Sequence, residues 1–424
     1  MTTPSATSGN TQQCPVAHAV PLSGPGFHID PNRLYREMRR EHGPVVAVEL
    51  PGGFPAWLVI GYRELHQVTS DPELFPRDVG RWNQWPNIPE DWPLLPMVGR
   101  PMPSIYFTAG AEHLRHVAMV EPALEAVDPF ELRRTCEDLA DQLIDMFCGR
   151  GTADLVADFA EPFPVLAIAR IVGFPDADGP QLAWLMKTMA DGGADAQAAY
   201  LHLLERMQHL VAVKRERPGD DLVSRMLAHP TPFTDQEYTM DLMAITAAGH
   251  LTTADWLASS VRLMLTDDRF AAALGGGRHS AGQAMNEVLW EETPTQILAG
   301  RWAARDTRLG DKVIRAGDML LLGLAAANAD PHVRQHLSAS GEPAHTGNSA
   351  HFAFSYGEYR CPFPAQQIAE IIARTGIEVF LDRLPDIDLA VPAETLVRRP
   401  SVFMRGMVSL PVRFTPVNAV GGHQ

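Results

Sequence analysis

The 424-residue sequence predicts a helix-rich α+β fold, mainly α with minor β structure. Between Ala111 and about Leu265, apolar residues recur every three or four positions, as in CEDLADQLIDMFCG, and this spacing is typical of amphipathic helices. Shorter stretches rich in Val, Leu and Ile have the character of strands, for example VVAVELPGGFPAWLVIG and DKVIRAGDMLLLGL. No internal repeat is present in the sequence.

The elements follow in order along the chain. Residues 1–27 are rich in Ser, Thr, Pro and Gly and predict a flexible tail. PNRLYREMRREHG then predicts a helix that ends at Gly43, and two strands follow around a Pro-Gly-Gly turn. Residues 80–107 contain several prolines and three tryptophans without a regular period, so this segment is either a functional lid or pocket wall or an ordinary surface loop.

Composition and charge exclude several functions. The formal net charge of -16 argues against nucleic-acid binding, which needs a concentrated basic surface. The sequence lacks a signal-peptide pattern and any run near the ~18 apolar residues of a membrane span. Four cysteines without C-x-x-C spacing argue against a zinc ribbon or a disulfide scaffold. We therefore expect a cytoplasmic protein that binds neither membranes nor nucleic acids.

Cys361 stands in the turn HFAFSYGEYRCPFP, directly before the helix predicted by AQQIAEIIARTGIEVFLDRL. A sulfur at the positive end of a helix is favoured as a thiolate, which is either a nucleophile or a metal ligand. The common alternative is a small buried apolar residue, as we expect for Cys136 and Cys148 inside helices. A papain-like nucleophile is disfavoured because the sequence after Cys361 contains only His423 as a histidine.

The cysteine turn resembles the haem-binding loop of the cytochrome P450 family at four positions: Phe354, Gly357, Cys361 and Glu370. Four further segments are similar to the family in the same order: ITAAGHLTTADW to its central helix, EVLWEETPTQ to its E-x-x-R helix, RWAARDTRLGDKVIRAGDMLLLGLAAANADP to the strands that follow, and RGMVSLPVRF to its C-terminal hairpin. The resemblance implies a single haem domain over residues 28–416, with a C-terminal tail over residues 417–424.

The resemblance also implies roles for individual residues. Cys361 would be the axial ligand of the iron of haem b, held by the loop of Phe354 and Gly357. His113 and Arg301 match the propionate contacts of the family, and Tyr359 stands where the family usually has a propionate-binding histidine or arginine.

Three residues of the central helix carry the catalytic expectation. Ala248 and Gly249 are small where this helix passes the haem of the family. Thr252 matches the threonine that helps to activate dioxygen; a plain helical threonine that bonds back to the Ala248 carbonyl oxygen is the alternative, and both roles are compatible. The substrate pocket is expected to be mostly apolar and to be formed by Trp82, Trp85, Ala247, Ala248, Gln296, Ile297, Leu298, Val402, Phe403 and Met404.

The sequence departs from the family at two important positions. Leu251 replaces the acid that usually precedes the threonine, so proton relay through that carboxylate is absent. Trp290 replaces the arginine of the E-x-x-R motif, and we expect its indole N–H to donate to Glu287 in a compensated core.

The resemblance implies a monooxygenase that inserts oxygen into, or oxidatively couples, a hydrophobic or aromatic small molecule in bacterial specialised metabolism. Dioxygen would be the co-substrate, and electrons would come from a ferredoxin and a ferredoxin reductase. The alternative is an atypical haem protein, with peroxide-driven or no oxidation activity, that acts as a ligand-binding or regulatory partner and engages a regulatory or carrier protein.

Overall fold

The computed structural model describes residues 19–421 except 25, 93, 99–101, 192–194, 269, 271–277 and 335–347. The named α-helices in these residues are α1 Gly26–Ile29, α2 Pro31–His42, α3 Tyr62–Ser70, α4 Leu95–Val98, α5 Gly110–Glu125, α6 Pro129–Asp145, α7 Pro162–Val172, α8 Gly179–Asp191, α9 Ala196–Glu216, α10 Leu222–Leu227, α11 Asp235–Thr266, α12 Arg278–Glu291, α13 Leu324–Asn328, α14 Pro331–Arg334 and α15 Phe363–Arg383. Among these described helices, none is long and apolar enough to cross a membrane.

The described residues form ten short strands: β1 Val20–Pro21, β2 Val45–Leu50, β3 Phe54–Val59, β4 Thr152–Asp154, β5 Leu298–Trp302, β6 Thr307–Leu309, β7 Lys312–Ile314, β8 Met319–Leu322, β9 Asp388–Leu389 and β10 Pro411–Arg413. The largest sheet has the order β1-β2-β3-β8-β5. In this sheet β2 and β3 pair antiparallel, with Val45 opposite Val59, and β3 pairs parallel with β8. Smaller sheets join β4-β10-β9 and β6-β7.

The predicted helix-rich α+β class is confirmed. The helix predicted before Gly43 is α2, which Asp30 caps by accepting a hydrogen bond from the Arg33 backbone N–H. The strands predicted around the Pro-Gly-Gly turn are β2 and β3, and the helix predicted after the cysteine turn is α15. Cys136 and Cys148 are buried in the main core, as expected for small apolar residues. Cys136 lies within α6, but Cys148 lies in the turn that follows this helix rather than inside a helix as expected.

The described parts of both segments that were predicted as tails are attached to the fold. In the N-terminal segment, residues 1–18 lie outside the described residues, but β1 pairs with β2, and Leu22 and Phe27 are buried. At the C-terminal end, the backbone N–H groups of Val420 and Gly421 donate to the Asp145 carboxylate. Buried apolar side chains and a backbone-to-carboxylate anchor attach segments that composition alone assigns to solvent.

The long helix α11 is the centre of the helical core, where it packs against α7, α9, α12 and α15. Its start is fixed by a capping box, in which the Thr234 hydroxyl accepts from the Glu237 N–H and the Glu237 carboxylate accepts from the Thr234 N–H. The box therefore fixes where the 32-residue helix begins.

A buried ionic network lies beside the middle of α11. The Glu161 carboxylate pairs with Lys187 and Arg399, and Arg399 also lies 3.6 Å from an Asp255 oxygen. The ring Nε2 of His250 is 3.0 Å from the Glu161 carbonyl oxygen. Burial is the largest influence on Asp255 and raises its pKa from 3.8 to about 7, although Arg399 acts in the opposite direction.

Replacing Asp255 with asparagine is expected to flatten the pH dependence of stability. A folded-state pKa of about 7 lies above the unfolded value of 3.8, so the stability contributed by protonated Asp255 is full below about pH 4 and is lost as pH rises through about 7. The melting temperature of D255N, relative to that of the natural protein, should therefore rise as the pH is raised from about 5 to about 8. Thermal melts of both proteins, with the exposed variant D138N as the control, measure this difference; a difference that is constant with pH would contradict it.

Candidate active site

The turn before Cys361 has a backbone that requires glycine at one position. Gly357 has a φ of 75°, and a Cβ there would collide with the Thr69 carbonyl oxygen. The Arg360 N–H donates to the Gly357 carbonyl oxygen, and the Cys361 N–H donates to that of Phe354 over 2.9 Å. Gly357 therefore allows the chain to fold back and place Cys361 against the cavity wall.

Cys361 precedes α15 by two residues, and the side chain of Gln366 in its first turn donates to the Cys361 carbonyl oxygen. Burial raises the pKa of the Cys361 thiol to about 12, and Arg360 acts against this rise. Burial thus favours the neutral thiol at this position, whereas the sequence analysis expected a thiolate. A coordinated metal ion deprotonates a thiol outright, so a thiolate at this position depends on metal binding.

Cys361 lines a cavity of about 250 Å³. Parts of its wall come from α5, α7, α11, α15, the start of β5 and the cysteine turn. Its lining is predominantly apolar, with Val120, Ile168, Ile245, Leu298 and Ile372 as examples. Such a lining suits a large apolar group or a hydrophobic ligand.

The α11 part of the wall contains the three residues with an expected catalytic role. Ala248, Gly249 and Thr252 all line the cavity, and the Thr252 hydroxyl donates to the Ala248 carbonyl oxygen over 2.5 Å. A Cβ on Gly249 would lie 3.0 Å from Cδ1 of Ile168, which α7 places against it. The helix therefore presents a small surface and one hydroxyl to the cavity.

One end of the site is cationic. Arg301 is fully buried, and Arg77 is 7% exposed. Three of their guanidinium nitrogens have no hydrogen-bond partner, namely Nε of Arg77 and Nε and Nη2 of Arg301. The two guanidinium groups lie 5.5 and 4.7 Å from the Tyr359 ring centre, and burial lowers the pKa of both.

His113 lies beside this cationic end. Its Nδ1 is 3.0 Å from the Ile105 carbonyl oxygen, its Nε2 is 3.4 Å from that of Glu358, and its ring is 4.7 Å from the Tyr359 ring. Burial, with help from Arg77, lowers its pKa to about 4, so His113 is neutral near pH 7. The structure thus brings His113, Arg301 and Tyr359 together.

Sequence reasoning missed Arg77 and Tyr106, which complete this group. The Arg77 guanidinium lies 4.6 Å from the Tyr106 ring centre, and both residues line the cavity. Arg77 is a single arginine next to the proline-rich segment, and its role depends on folding against residues far along the chain. The irregular, proline-rich composition of that segment was the only sequence signal for a functional role. Of the two roles considered for residues 80–107, pocket wall or surface loop, the pocket-wall role applies to the C-terminal end, where Ile105 and Tyr106 line the cavity.

The expected pocket residues are only partly on the cavity wall. Ala248 and Leu298 line the cavity. The others are not among its described lining residues: Trp82, Trp85, Ile297, Val402, Phe403 and Met404 pack in or against the core cluster beside the largest sheet, Gln296 donates to the Ser401 and Met404 carbonyl oxygens, and Ala247 lies on the neighbouring surface of α11. Large apolar side chains fill that core because the sheet needs cover on this face.

Trp290 differs from the sequence expectation. Its indole N–H donates to the Asn348 carbonyl oxygen over 2.9 Å, rather than to Glu287. Asn286 donates to the same carbonyl oxygen over 2.9 Å, and the Trp290 ring packs edge-on against His351 at 5.8 Å. Among the contacts of the described residues, Trp290 connects α12 to the segment that leads into the cysteine turn through its packed ring and a neutral hydrogen bond.

Comparisons with known proteins agree with this geometry. A scan against models of protein families gives no match. Cytochrome P450-SU2 of Streptomyces griseolus is 31% identical over 413 residues, which are 94% of this chain and 97% of that protein. Cytochrome P450 107B1 of Saccharopolyspora erythraea is 29% identical over 398 residues, which are 91% of this chain and 96% of that protein. The structure of CYP154C4 from Streptomyces sp. ATCC 11861 matches with a TM-score of 0.84 at 28% identity, over 94% of this chain and 99% of that one.

A helical fold around an apolar cavity, with a cysteine turn on its wall, is the arrangement that a haem-thiolate protein requires. With the comparisons, the chain belongs to the cytochrome P450 family. It is a cytochrome P450 monooxygenase with haem b as its cofactor.

The residues present fit this cofactor. Haem b carries two propionates, and buried guanidinium groups with free N–H donors are the partners that such carboxylates need. Arg77 offers such a donor on the cavity wall, and Cys361 offers sulfur there. Arg301 is not among the lining residues, but its free donors lie behind the wall residue Tyr359, against whose ring its guanidinium packs at 4.7 Å. We propose that these three residues, with His113 and Tyr359, hold the haem.

Replacing Arg301 with methionine is expected to have opposite effects on the haem-free and haem-loaded proteins. The haem-free protein should gain stability, because a buried cation without a carboxylate partner is removed. The loaded protein should release haem about tenfold faster or more, because a charge-assisted contact is lost. Haem transfer to an acceptor protein and thermal melts test this, with the exposed R308M as the control; a gain of stability in both forms would contradict a propionate contact.

Proposed function

We propose that the protein inserts one oxygen atom into, or oxidatively couples, a hydrophobic or aromatic small molecule. The observation that carries this proposal is the predominantly apolar cavity that has Thr252 and Cys361 on its wall. Bacterial P450 monooxygenases of similar sequence include a polyketide biosynthesis enzyme of Bacillus subtilis, which supports a place in specialised metabolism. The haem, when bound, supplies the activation of dioxygen.

The residues of the chain would divide the remaining work. Ala248 and Gly249 have little or no side chain, so α11 leaves room in the cavity for dioxygen and substrate. The Thr252 hydroxyl, which now donates to the Ala248 carbonyl oxygen, can rotate to hold or pass a proton inside the cavity. The apolar side chains of α5 and α7 exclude water from the site.

Because Leu251 has no carboxylate, α11 lacks the acid that would pass protons into the cavity at this position. The titratable residues on the described cavity wall include Glu121, His113 and Glu358, and none of them belongs to α11. Proton delivery on the α11 side would therefore depend on the Thr252 hydroxyl and on solvent. Proton delivery should therefore depend more strongly on Thr252 than in a site where a neighbouring carboxylate also transfers protons.

Replacing Thr252 with alanine is expected to lower the coupling of electron consumption to product formation by about tenfold or more, with substrate binding kept. The matched control is T266A, since Thr266 makes the same bond to the carbonyl oxygen four residues earlier at the far end of α11. Product and peroxide yields per electron donor consumed provide the measurement. Unchanged coupling in T252A would contradict the role proposed for Thr252.

We further propose that electrons come from a ferredoxin and a ferredoxin reductase. Turnover of a candidate substrate with this pair should exceed turnover with hydrogen peroxide, measured on the same protein. Product formation with peroxide alone would instead favour the peroxide-driven alternative. Among the described residues we find no feature that favours a purely regulatory role over chemistry.

A further inference from the structure

Outside the haem cavity, three potential metal ligands meet where α5 packs near the first turn of α11. Glu112, His116 and Glu237 each offer one ligand atom, and these atoms lie within 4.8 Å of one another. Glu112 and His116 are four residues apart on α5 and so share one face of that helix. Carboxylate oxygen and imidazole nitrogen are ligands that zinc accepts.

His116 provides the observation that points to a ligand. It is fully buried, and its Nε2 has no hydrogen-bond partner although it lies 3.9 Å from Oε1 of Glu237. Its Nδ1 is 2.6 Å from Oδ2 of Asp241. Asp241 therefore occupies Nδ1, and Nε2 is the ring nitrogen that remains without a partner beside the Glu237 carboxylate, as expected of a metal-binding histidine whose other nitrogen is held by an outer carboxylate.

The Glu237 carboxylate is also held in position. Oε2 of Glu237 is occupied by the capping box, since it accepts from the backbone N–H and the hydroxyl of Thr234. Oε1 is left to face His116 and Arg115. Because the helix cap holds one oxygen, the other is oriented toward His116 before any ligand arrives.

We propose that Glu112, His116 and Glu237 form a zinc site, with Asp241 as the outer partner that orients His116. Tetrahedral zinc with bonds of about 2.0–2.1 Å places its ligand atoms about 3.3 Å apart, so the observed separations need a contraction of no more than about 1.5 Å. A water molecule would complete the coordination. Two carboxylates and one neutral imidazole match the charge of the dication.

Arg115 is the competitor of the metal ion. Its guanidinium donates to Oε2 of Glu112 and also to Oε1 of Glu237. Its side chain is 28% exposed, so it can turn to solvent when zinc replaces its charge. Zinc binding would then fasten α5 to α11, and through Asp241, which accepts from the Ile105 N–H over 2.6 Å, it would also hold a residue of the haem-cavity wall.

Calorimetric titration of the haem-loaded, chelator-treated protein with zinc chloride tests the site. We expect one zinc per chain, a melting temperature that rises with zinc, and affinity about tenfold or more weaker in E112Q and H116Q. E112Q is a surface change that leaves the fold intact, and H209Q, an exposed histidine of α9, is the control. R115Q should bind zinc about tenfold more tightly, because the competing cation is gone.

Several outcomes would overturn the proposal. One is the absence of saturable zinc uptake by the natural chain, including the case in which R115Q alone binds. Another is equal zinc affinity in E112Q, R115Q and the natural protein, which would place the metal on other surface groups. A third is a loss of affinity in H209Q as large as the loss in E112Q.

Discussion

Replacing Cys361 with alanine is expected to reduce monooxygenase activity by more than about a hundredfold, beyond the 10–100-fold that follows the loss of an outer-shell partner of a metal site. Cys361 contributes the sulfur of the cavity wall, and its turn is built so that this sulfur faces the cavity. Haem without an axial thiolate lacks the electron density that assists cleavage of the O–O bond.

The measurement is the absorption spectrum of the reduced protein with carbon monoxide, taken beside the activity assay. The natural protein should show the long-wavelength band of a thiolate complex, and C361A should lose this band even where haem is retained. C136A is the matched control, because Cys136 is a fully buried cysteine in the helical core away from the cavity wall. A natural protein whose band already lies at shorter wavelength would show that its sulfur is not a thiolate ligand.

Much of the site could be predicted because its determinants are close together in sequence. The cysteine turn needs Gly357 for its backbone and places Cys361 at the start of a helix, so a stretch of about fifteen residues specifies both. The small residues and the threonine of α11 likewise lie within one helical segment. Local backbone geometry translates directly into such patterns.

The remaining features depend on contacts between distant segments. Arg77 approaches Tyr359 across 282 residues, and Trp290 reaches Asn348 across 58. Trp82 and Phe403 are apolar and belong to segments expected near the substrate, yet they pack into the core beside the sheet. Sequence pattern shows that such a side chain will be buried, but the neighbour against which it is buried is decided by tertiary packing.

The second large effect is expected from Trp290, which the sequence resemblance aligns with a buried arginine of the family. W290A should lower the free energy of unfolding by about 3–5 kcal/mol, because it leaves a large cavity among fully buried side chains. W290F should cost only about 1 kcal/mol, since the Asn348 carbonyl oxygen still accepts from Asn286 and is not left unsatisfied.

Thermal and denaturant unfolding of the haem-loaded protein distinguish the two contributions of Trp290, with the 58% exposed Trp184 replaced by alanine as the control. Trp290 of α12 packs against, and donates to, the segment around Asn348 that precedes the cysteine turn. W290A should therefore also release haem faster, whereas W290F, which keeps most of the ring volume, should not. Equal losses in W290A and W290F would mean that the hydrogen bond, rather than volume, replaces the ion pair of the family. A small loss in W290A would mean that a tryptophan can occupy this position without compensating for the missing arginine.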